Sequence, residues 1–169
     1  DINSEIKILH SLINIIHIKD KNLFNKNVFL GDGLVDFSSF FNTLRNINYQ
    51  GVMILETLTG VNISTLEDAD SACKKFVEMG VKNPIITLGE KGAYLHDHGL
   101  IESYKVGKVL ETTGAGDAFN GGFAAALAEG RSTLDAINFG CATAGISVTR
   151  AGTAPSMPTR DEVEKILTT

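Results

Sequence analysis

Short, continuous apolar runs alternate along this chain with segments whose apolar residues recur every three or four positions. The runs predict buried strands, and the recurring positions predict helices. The predicted strands are 14–19, 52–56 and 84–88, a hairpin joins 93–97 to 100–105, and the predicted helices are 37–46, 65–80, 119–129, 134–148 and 160–167. This alternation favours an α/β fold, in which a mainly parallel sheet carries helices on both faces. We expect 14–19 and 52–56 to be neighbours in one continuous sheet, because a right-handed βαβ unit would connect them.

The composition limits the kinds of protein that this chain can be. A length of 169 residues with 43% hydrophobic residues suits one or two small globular domains. The net charge of −5 argues against a broad nucleic-acid surface but leaves a local anion site open. Cys73 and Cys141 form no disulfide framework and no metal-ligand spacing. No apolar run is long enough to cross a membrane, and the N-terminus lacks a signal-peptide pattern, so we expect a cytoplasmic protein.

The composition also changes abruptly along the chain. Residues 1–56 contain no alanine but 8 asparagines, whereas residues 57–169 contain 14 alanines and 14 of the 17 glycines. This step predicts two segments of different history, 1–56 and 57–169. The alternative is that small residues concentrate where a glycine-rich site is built.

A glycine-rich loop precedes the predicted helix 119–129. Gly114, Ala115 and Gly116 are small enough for their backbone N–H groups to approach an anion closely at a helix N-terminus. Asp117 follows them, either as a plain first-turn acid or as a base that takes a proton from a hydroxyl beside a bound phosphate. The spacing is neither that of a Walker A loop nor that of a dinucleotide-binding turn.

The stretch ETTGAGDAFNGGF resembles the C-terminal signature of the ribokinase-like carbohydrate kinases. Three further segments match in the same order: LTGV at 58–61, ITLGEKGAYL at 86–95 and SVTRAGTAPSMP at 147–158. The resemblance runs from about Leu58 to the end of the chain. It implies phosphorylation of a sugar hydroxyl by ATP, with Mg²⁺ and K⁺ as cofactors, and with a nucleotide and a small sugar as partners.

The resemblance also implies roles for individual residues. Asp117 matches the family's catalytic base, and Gly114, Ala115 and Gly116 match its anion hole. The residues that match nucleotide-binding positions are Thr87, Gly89, Gly92 and Cys141. Those that match the loops around a monovalent cation are Glu111, Thr113, Ser147, Arg150, Gly152 and Ser156. Glu111 is a departure, since the family more often has aspartate there.

Several of these residues also have simpler interpretations. Thr87, Gly89 and Gly92 also suit a strand-end turn with no ligand. Cys141 also suits a small, buried apolar position, and Arg150 an ordinary surface cation.

A ribokinase-like enzyme needs an N-terminal half that supplies most of the sugar contacts, and nothing in residues 1–56 resembles it. The family's Asn-x-x-Glu motif, linked to Mg²⁺ and phosphate, falls here on Gly51 and Ile54, which supply no carboxylate. We therefore expect an incomplete kinase without a sugar site.

Two potential metal ligands stand at the ends of the first two predicted strands. His17 and Glu56 suit a divalent ion such as Mn²⁺ or Mg²⁺, although a single strand-end histidine is more often structural. Their surroundings resemble the last βαβ unit of the xylose-isomerase-like TIM barrels, in which both would be metal ligands at the catalytic face. The other ligands would come from absent strands, so the implied site is vestigial.

Three functions remain open at this stage. The first is the carbohydrate kinase, the second a non-catalytic hybrid that binds nucleotide weakly, and the third a fragment of a metal-dependent sugar-phosphate isomerase or epimerase. The join near Glu56 suggests a chimera or fusion. A sheet edge exposed by a missing half-domain would invite homo-oligomers.

Overall fold

The structure is a computed structural model that describes residues 2–9, 11, 15–18, 20–24, 26–28, 33–49, 52–55, 63, 65–78 and 81–168. By internal contacts the chain divides into two compact units, Asp1–Asn62 and Ile63–Thr169. Each unit is described by itself. The predicted division into domains of separate origin at residue 56 stays a prediction.

The first unit is built around one parallel strand pair. Its elements are α1 (Ile2–Leu9), β1 (Ile15–Ile18), β2 (Asp20–Lys21), β3 (Asn27–Val28), α2 (Phe37–Asn46) and β4 (Val52–Leu55). β1 and β4 pair in parallel from Ile15 opposite Val52 to Ile18 opposite Leu55, as the βαβ pattern predicts. β2 and β3 form a short antiparallel pair.

The helix α2 has the bounds that its phenylalanine pattern predicts. Asp36 caps it, since its carboxylate accepts the Ser39 N–H at 3.0 Å. Asn48 ends it in the left-handed region with φ 51°, a conformation that asparagine tolerates better than most residues. Phe40 and Leu44 from this helix form a small core with Ile6 and Ile18. α1 supplies Ile6, and the sequence prediction missed this helix.

The second unit combines a three-stranded sheet with four helices. Its elements are α3 (Leu66–Glu78), β5 (Ile85–Thr87), β6 (Gly92–Leu95), β7 (Gly99–Glu102), α4 (Ala115–Ala128), α5 (Thr133–Ser147) and α6 (Arg160–Leu167), with 3₁₀ turns at Gly89–Lys91 and Ala154–Ser156. The side of α3 that carries Ala69 and Cys73 packs with Tyr94 of β6. The Tyr94 hydroxyl donates to the Asp70 carboxylate at 3.1 Å, which fixes this contact.

The α/β class is confirmed, but the sheet arrangement differs from the single, mainly parallel sheet expected. The described strands form three small sheets, of which only β1–β4 is parallel. β5, β6 and β7 pair antiparallel because very short turns connect them, and a parallel crossover needs a dozen or more residues. The hairpin predicted on either side of residues 97–99 is present.

Glycine allows α4 and α5 to approach closely. A Cβ atom built on Gly122 would lie 2.4 Å from the Thr143 hydroxyl, and one built on Gly140 would lie 2.9 Å from Phe119. Phe119 and Phe123 stack on the same helix with ring centroids 6.0 Å apart. The two helices therefore form one tightly packed antiparallel pair.

Two adjacent glycines of α4 should respond oppositely to substitution by alanine. Gly122→Ala should lower the free energy of unfolding by about 1–3 kcal/mol, because the new methyl group collides with Thr143. Gly121→Ala should raise it by about 1 kcal/mol, because that position faces open space and alanine favours helix. Urea unfolding followed by circular dichroism measures both changes. Equal changes would contradict the close approach of the helices.

Candidate active site

The predicted anion site lies where α4 begins. Gly114 is the N-cap residue, with φ 82° in the left-handed region, and the helix starts at Ala115, four residues earlier than the sequence pattern predicts. The Ala115 N–H donates to the Thr112 carbonyl at 3.1 Å, and the Ala118 N–H donates to the Gly114 carbonyl at 2.9 Å. Among the backbone N–H groups of the first turn, those of Gly116 and Asp117 therefore remain available to a ligand. Residues 114–117 are called the glycine turn below.

Asp117 lies in this first turn and is exposed to solvent. Within the described residues its carboxylate has no hydrogen-bond or ion-pair partner. A first-turn carboxylate that serves the structure usually bonds to a backbone N–H or to a cation, as Glu162 does on α6. The side chain of Asp117 is therefore available to a bound molecule.

A second loop, residues 148–156, is fastened to the segment before the glycine turn. The N–H groups of Leu110 and Glu111 both donate to the Val148 carbonyl, at 2.8 and 3.2 Å. The Gly152 N–H donates to the Glu111 carboxylate at 2.8 Å. This bond, followed by one from the Thr113 side chain, lowers the pKa of Glu111 below its usual value. Three of the residues predicted around the cation therefore lie in contact, namely Glu111, Thr113 and Gly152.

Two predicted cation residues are buried serines. Ser147 and Ser156 are 3% and 1% exposed, and their hydroxyl protons go to the carbonyls of Ala144 at 2.9 Å and Thr153 at 2.6 Å. Each hydroxyl oxygen keeps lone pairs, and hard oxygen ligands of this kind, with the Glu111 carboxylate, suit an alkali cation. The donor chemistry therefore fits K⁺. Among the described residues no cluster of three or more His, Cys, Asp or Glu side chains is arranged to hold a metal.

The Arg150 side chain extends from the 148–156 loop to α6. Its guanidinium forms an ion pair with the Glu162 carboxylate. Glu162 also accepts the N–H of Thr159 at 2.7 Å and its hydroxyl at 3.1 Å. The N–H bond, together with the bond from the Glu162 N–H to the Thr159 side chain, forms a capping box at the start of α6. The sequence interpretation of Arg150 missed this partner, although the Thr159-x-x-Glu162 spacing is a recognisable signal.

These contacts make the second unit sensitive to acid. The Arg150 guanidinium, followed by the Thr159 hydrogen bonds, lowers the pKa of Glu162 from 4.5 to about 2. A group whose pKa is lower in the folded state stabilises the fold above its unfolded pKa, and this contribution is lost as the pH falls towards the folded value. We expect stability to fall between pH 4.5 and about 2, and less steeply in Glu162→Gln. Urea unfolding across this range measures both slopes, and identical slopes would contradict the assignment.

The predicted nucleotide turn follows β5. Thr87 is exposed at the end of the strand, and Gly89 has φ 59° with open space around it. Gly92 has φ 114°, and a Cβ there would lie 2.1 Å from the Ile101 carbonyl, so glycine is required by the hairpin itself. The hydroxyl of Ser103 donates to the Glu90 carbonyl at 2.5 Å. The described hydrogen bonds thus connect this turn to the end of β7.

Cys141 lies on α5 and is 4% exposed. Burial raises the pKa of its thiol to about 11, so the group is neutral at physiological pH. The residue therefore has the small, buried, apolar character expected of it, and its predicted place beside an adenine ring stays a prediction.

Only part of the predicted divalent site is described. The backbone of His17 lies in β1 opposite Ile54, while Glu56 lies outside the described residues. Nearby, Asp20 is 1% exposed and accepts the N–H groups of Gly33 at 2.9 Å and Val35 at 3.3 Å. The buried carboxylate thus holds residues 33–35 against β2, a role that sequence reasoning missed.

We expect Mn²⁺ to bind this unit only weakly. Two protein ligands leave most of the shell of a divalent ion to water, and tight sites use three or more. Calorimetry should give an affinity no tighter than about micromolar, the weak binding expected of two protein ligands. Submicromolar binding that His17→Ala abolishes would show that more ligands are present.

An open depression of about 510 Å³ lies at the other end of α5. Its lining residues are Tyr104, Arg131, Asp135, Asn138, Glu164 and Leu167. Arg131 forms an ion pair with Glu164 and lies over the Phe139 ring, 4.8 Å from its centroid. The charges of Arg131 and Glu164 are therefore already paired with each other, and the depression is not the candidate site. No described helix is long and apolar enough to cross a membrane.

Two family models match the chain. Residues 43–160 match the pfkB family carbohydrate kinase model, and residues 1–76 match the xylose isomerase-like TIM barrel model. The two matches overlap at 43–76. Both resemblances found in the sequence are thereby confirmed.

Individual relatives agree with the kinase match. A ribokinase from Haemophilus influenzae is 43% identical over 115 residues, which are 66% of this chain and 37% of the relative. The structure of Arabidopsis thaliana ribokinase complexed with ribose and ATP is 36% identical with a TM-score of 0.61, and the match covers 66% of this chain and 37% of that one. A ribokinase from Thermotoga maritima is 30% identical with a TM-score of 0.62, and the match covers 88% and 68%. The chain thus spans little more than a third of the first two relatives.

Proposed function

Since this chain belongs to the pfkB family of carbohydrate kinases, we propose that residues 57–169 form the nucleotide-binding and catalytic-base part of an enzyme that phosphorylates a sugar hydroxyl with ATP. The observation that carries the proposal is the start of α4. There a left-handed glycine, first-turn N–H donors and an exposed aspartate with no partner among the described residues occur within four consecutive positions.

The proposed chemistry divides the work between backbone and side chain. The N–H groups of Gly116 and Asp117 stabilise the negative charge that develops on the transferred phosphoryl group, helped by the positive end of the α4 dipole. The Asp117 carboxylate removes the proton from the sugar hydroxyl as its oxygen attacks the γ-phosphorus, and the bond to the ADP leaving group breaks.

The proposed ions differ in how well the chain accommodates them. Glu111, Ser147 and Ser156 supply the oxygen chemistry that holds K⁺, which would order the two loops when bound. Mg²⁺ neutralises phosphate charge in such reactions, but Gly51 and Ile54 offer it no carboxylate. The proposed steps are therefore those of the chain's own residues.

The chain alone is proposed to bind nucleotide without turning over sugar. The two curated ribokinases are about twice as long as this chain, and the matched stretch spans about a third of each, while residues 1–76 match the barrel model instead. A hybrid origin, by fusion or recombination near residue 56, explains both the composition step and the two family matches. We further propose that the protein acts in the cytoplasm.

Complementation tests this function. The chain is mixed with a separately expressed polypeptide that carries the N-terminal portion of a ribokinase, and ATP-dependent phosphorylation of ribose is followed by ³¹P NMR. We expect ATP binding by the chain alone and phosphorylation only in the mixture. An absence of nucleotide binding would contradict the proposal and leave the non-catalytic hybrid. Metal-dependent isomerisation of a ketose phosphate would favour the isomerase fragment.

An exposed edge of the β5–β6–β7 sheet gives the proposed route to homo-oligomers. Among the described strands β5 pairs only with β6, and we propose that its other edge pairs with a second copy of the chain. Sedimentation should show self-association at high concentration, and a proline at Ile86, in the middle of β5, should suppress it.

A further inference from the structure

We infer that Glu162 is a positioning residue for the glycine turn, on which it acts through Arg150 and the 148–156 loop. The inference rests on the proposed function, because it treats the glycine turn as the anion site. It assigns a role to a residue on α6 that does not itself belong to that turn.

The Glu162 carboxylate is held rigidly. It binds the Arg150 guanidinium and also accepts two hydrogen bonds from Thr159, at 2.7 and 3.1 Å. Charge-assisted bonds to both oxygens fix the direction of a carboxylate better than one exposed ion pair does. Glu162 therefore fixes the position of Arg150 relative to the first turn of α6.

Arg150 in turn belongs to the loop that faces the site. Its N–H donates to the Ser147 carbonyl at 3.0 Å, which starts the loop at the end of α5. Two residues later, the Gly152 N–H donates to the Glu111 carboxylate at 2.8 Å. The loop is thus fastened on one side to α6 and on the other to the segment that leads into α4.

The next residue of the loop contacts the glycine turn itself. A Cβ on Gly114 would lie only 3.1 Å from the Thr153 methyl group, so Thr153 rests against the N-cap of α4. A shift of the loop therefore moves Thr153 or Gly152, and either movement changes the backbone of residues 114–116. The chain of contacts runs from Glu162 through Arg150, and then through the loop, to the first-turn N–H donors.

Two substitutions on α6 separate positioning from simple helix stability. Glu162→Gln keeps the side-chain oxygen that caps α6 but removes the charge that holds Arg150. Glu164→Gln is the matched control, since it lies on the same helix and also removes an ion-paired carboxylate, but its partners Arg131 and Arg160 lie away from the loop. Any general weakening of α6 should appear in both variants.

The first readout needs no ligand. In the free protein, Glu162→Gln should shift the backbone amide resonances of Gly116 and Gly152, and Glu164→Gln should leave them in place. Arg150→Gln should reproduce the shifts, and the double variant should add little, because both changes break the same contact. Unmoved resonances in Glu162→Gln, or equal shifts in the control, would overturn the inference.

The second readout is nucleotide affinity. Calorimetry with ATP should show about fivefold weaker binding in Glu162→Gln, an effect of the size typical for residues that act through others. In Glu164→Gln the affinity for ATP should change by less than about twofold. Equal affinities in the two variants would overturn the inference. If the wild-type chain binds no ATP, the proposed function fails, and the amide resonances still decide the role of Glu162.

Discussion

Asp117→Asn should lower phosphoryl transfer in the proposed complemented enzyme by a factor of about 10² or more, the usual scale for the loss of a general base. Its affinity for ATP stays within about twofold of the wild type, because the asparagine is nearly isosteric and the N–H donors of the glycine turn are unchanged. Steady-state kinetics with ribose measures the first effect, and calorimetry with ATP measures the second.

Asp161→Asn is the control for this substitution. Asp161 is likewise an exposed aspartate in the first turn of a helix, so it reproduces the change of charge at a helix N-terminus without the proposed chemistry. We expect its rate to equal that of the wild type. An unchanged rate in Asp117→Asn, or an equal loss in both variants, would show that Asp117 is not the base.

Gly114→Val should weaken ATP binding at least about tenfold. The residue has φ 82°, where a β-branched side chain is strained by about 1–3 kcal/mol, and its Cβ would press on Thr153 at 3.1 Å. Relief of either strain changes the backbone that presents the first-turn N–H groups. The effect arises from the backbone of the turn rather than from a side chain that enters the anion site.

Gly130→Val separates backbone strain from the loss of the site. Gly130 has the same φ of 82°, lies just after α4 and has open space around it. Its substitution should cost a similar amount of stability and leave ATP binding intact. If both variants lose binding equally, general destabilisation accounts for the loss, and the glycine turn is not the nucleotide site.

The sequence predicted most elements of this chain for identifiable reasons. The phenylalanine stripe with its Asp36 cap defines α2, and the parallel β1–β4 pair follows from apolar runs on either side of that helix. α1 was missed because, among those of its residues whose burial is described, only Ile6 is a buried part of the core. The antiparallel pairing of β5 with β6 was missed because a short apolar run such as 84–88 predicts a strand without its direction.

The site was predictable at its centre and less so around it. A row of small residues before a helix indicates an anion turn, and α4 begins there. The bond between Gly152 and Glu111 joins residues 41 positions apart, and no local pattern reveals such a contact. The ion pair of Arg150 with Glu162 was also missed, although the Thr159-x-x-Glu162 spacing of the capping box that orients Glu162 is visible in the sequence.

The register of the strands has a consequence for the order of folding. In the β6–β7 hairpin, Leu95 pairs with Gly99, only four positions away, whereas β1 and β4 join Ile15 to Val52, 37 positions away. Closing the longer loop costs about 2 kcal/mol more chain entropy, since each doubling of loop length adds about 0.6 kcal/mol. The hairpin should therefore form early, and the β1–β4 pair should form only after α2 has shortened the path between its strands. During synthesis β1 would then be made well before β4, a period in which its pairing edge towards β4 is open to other chains.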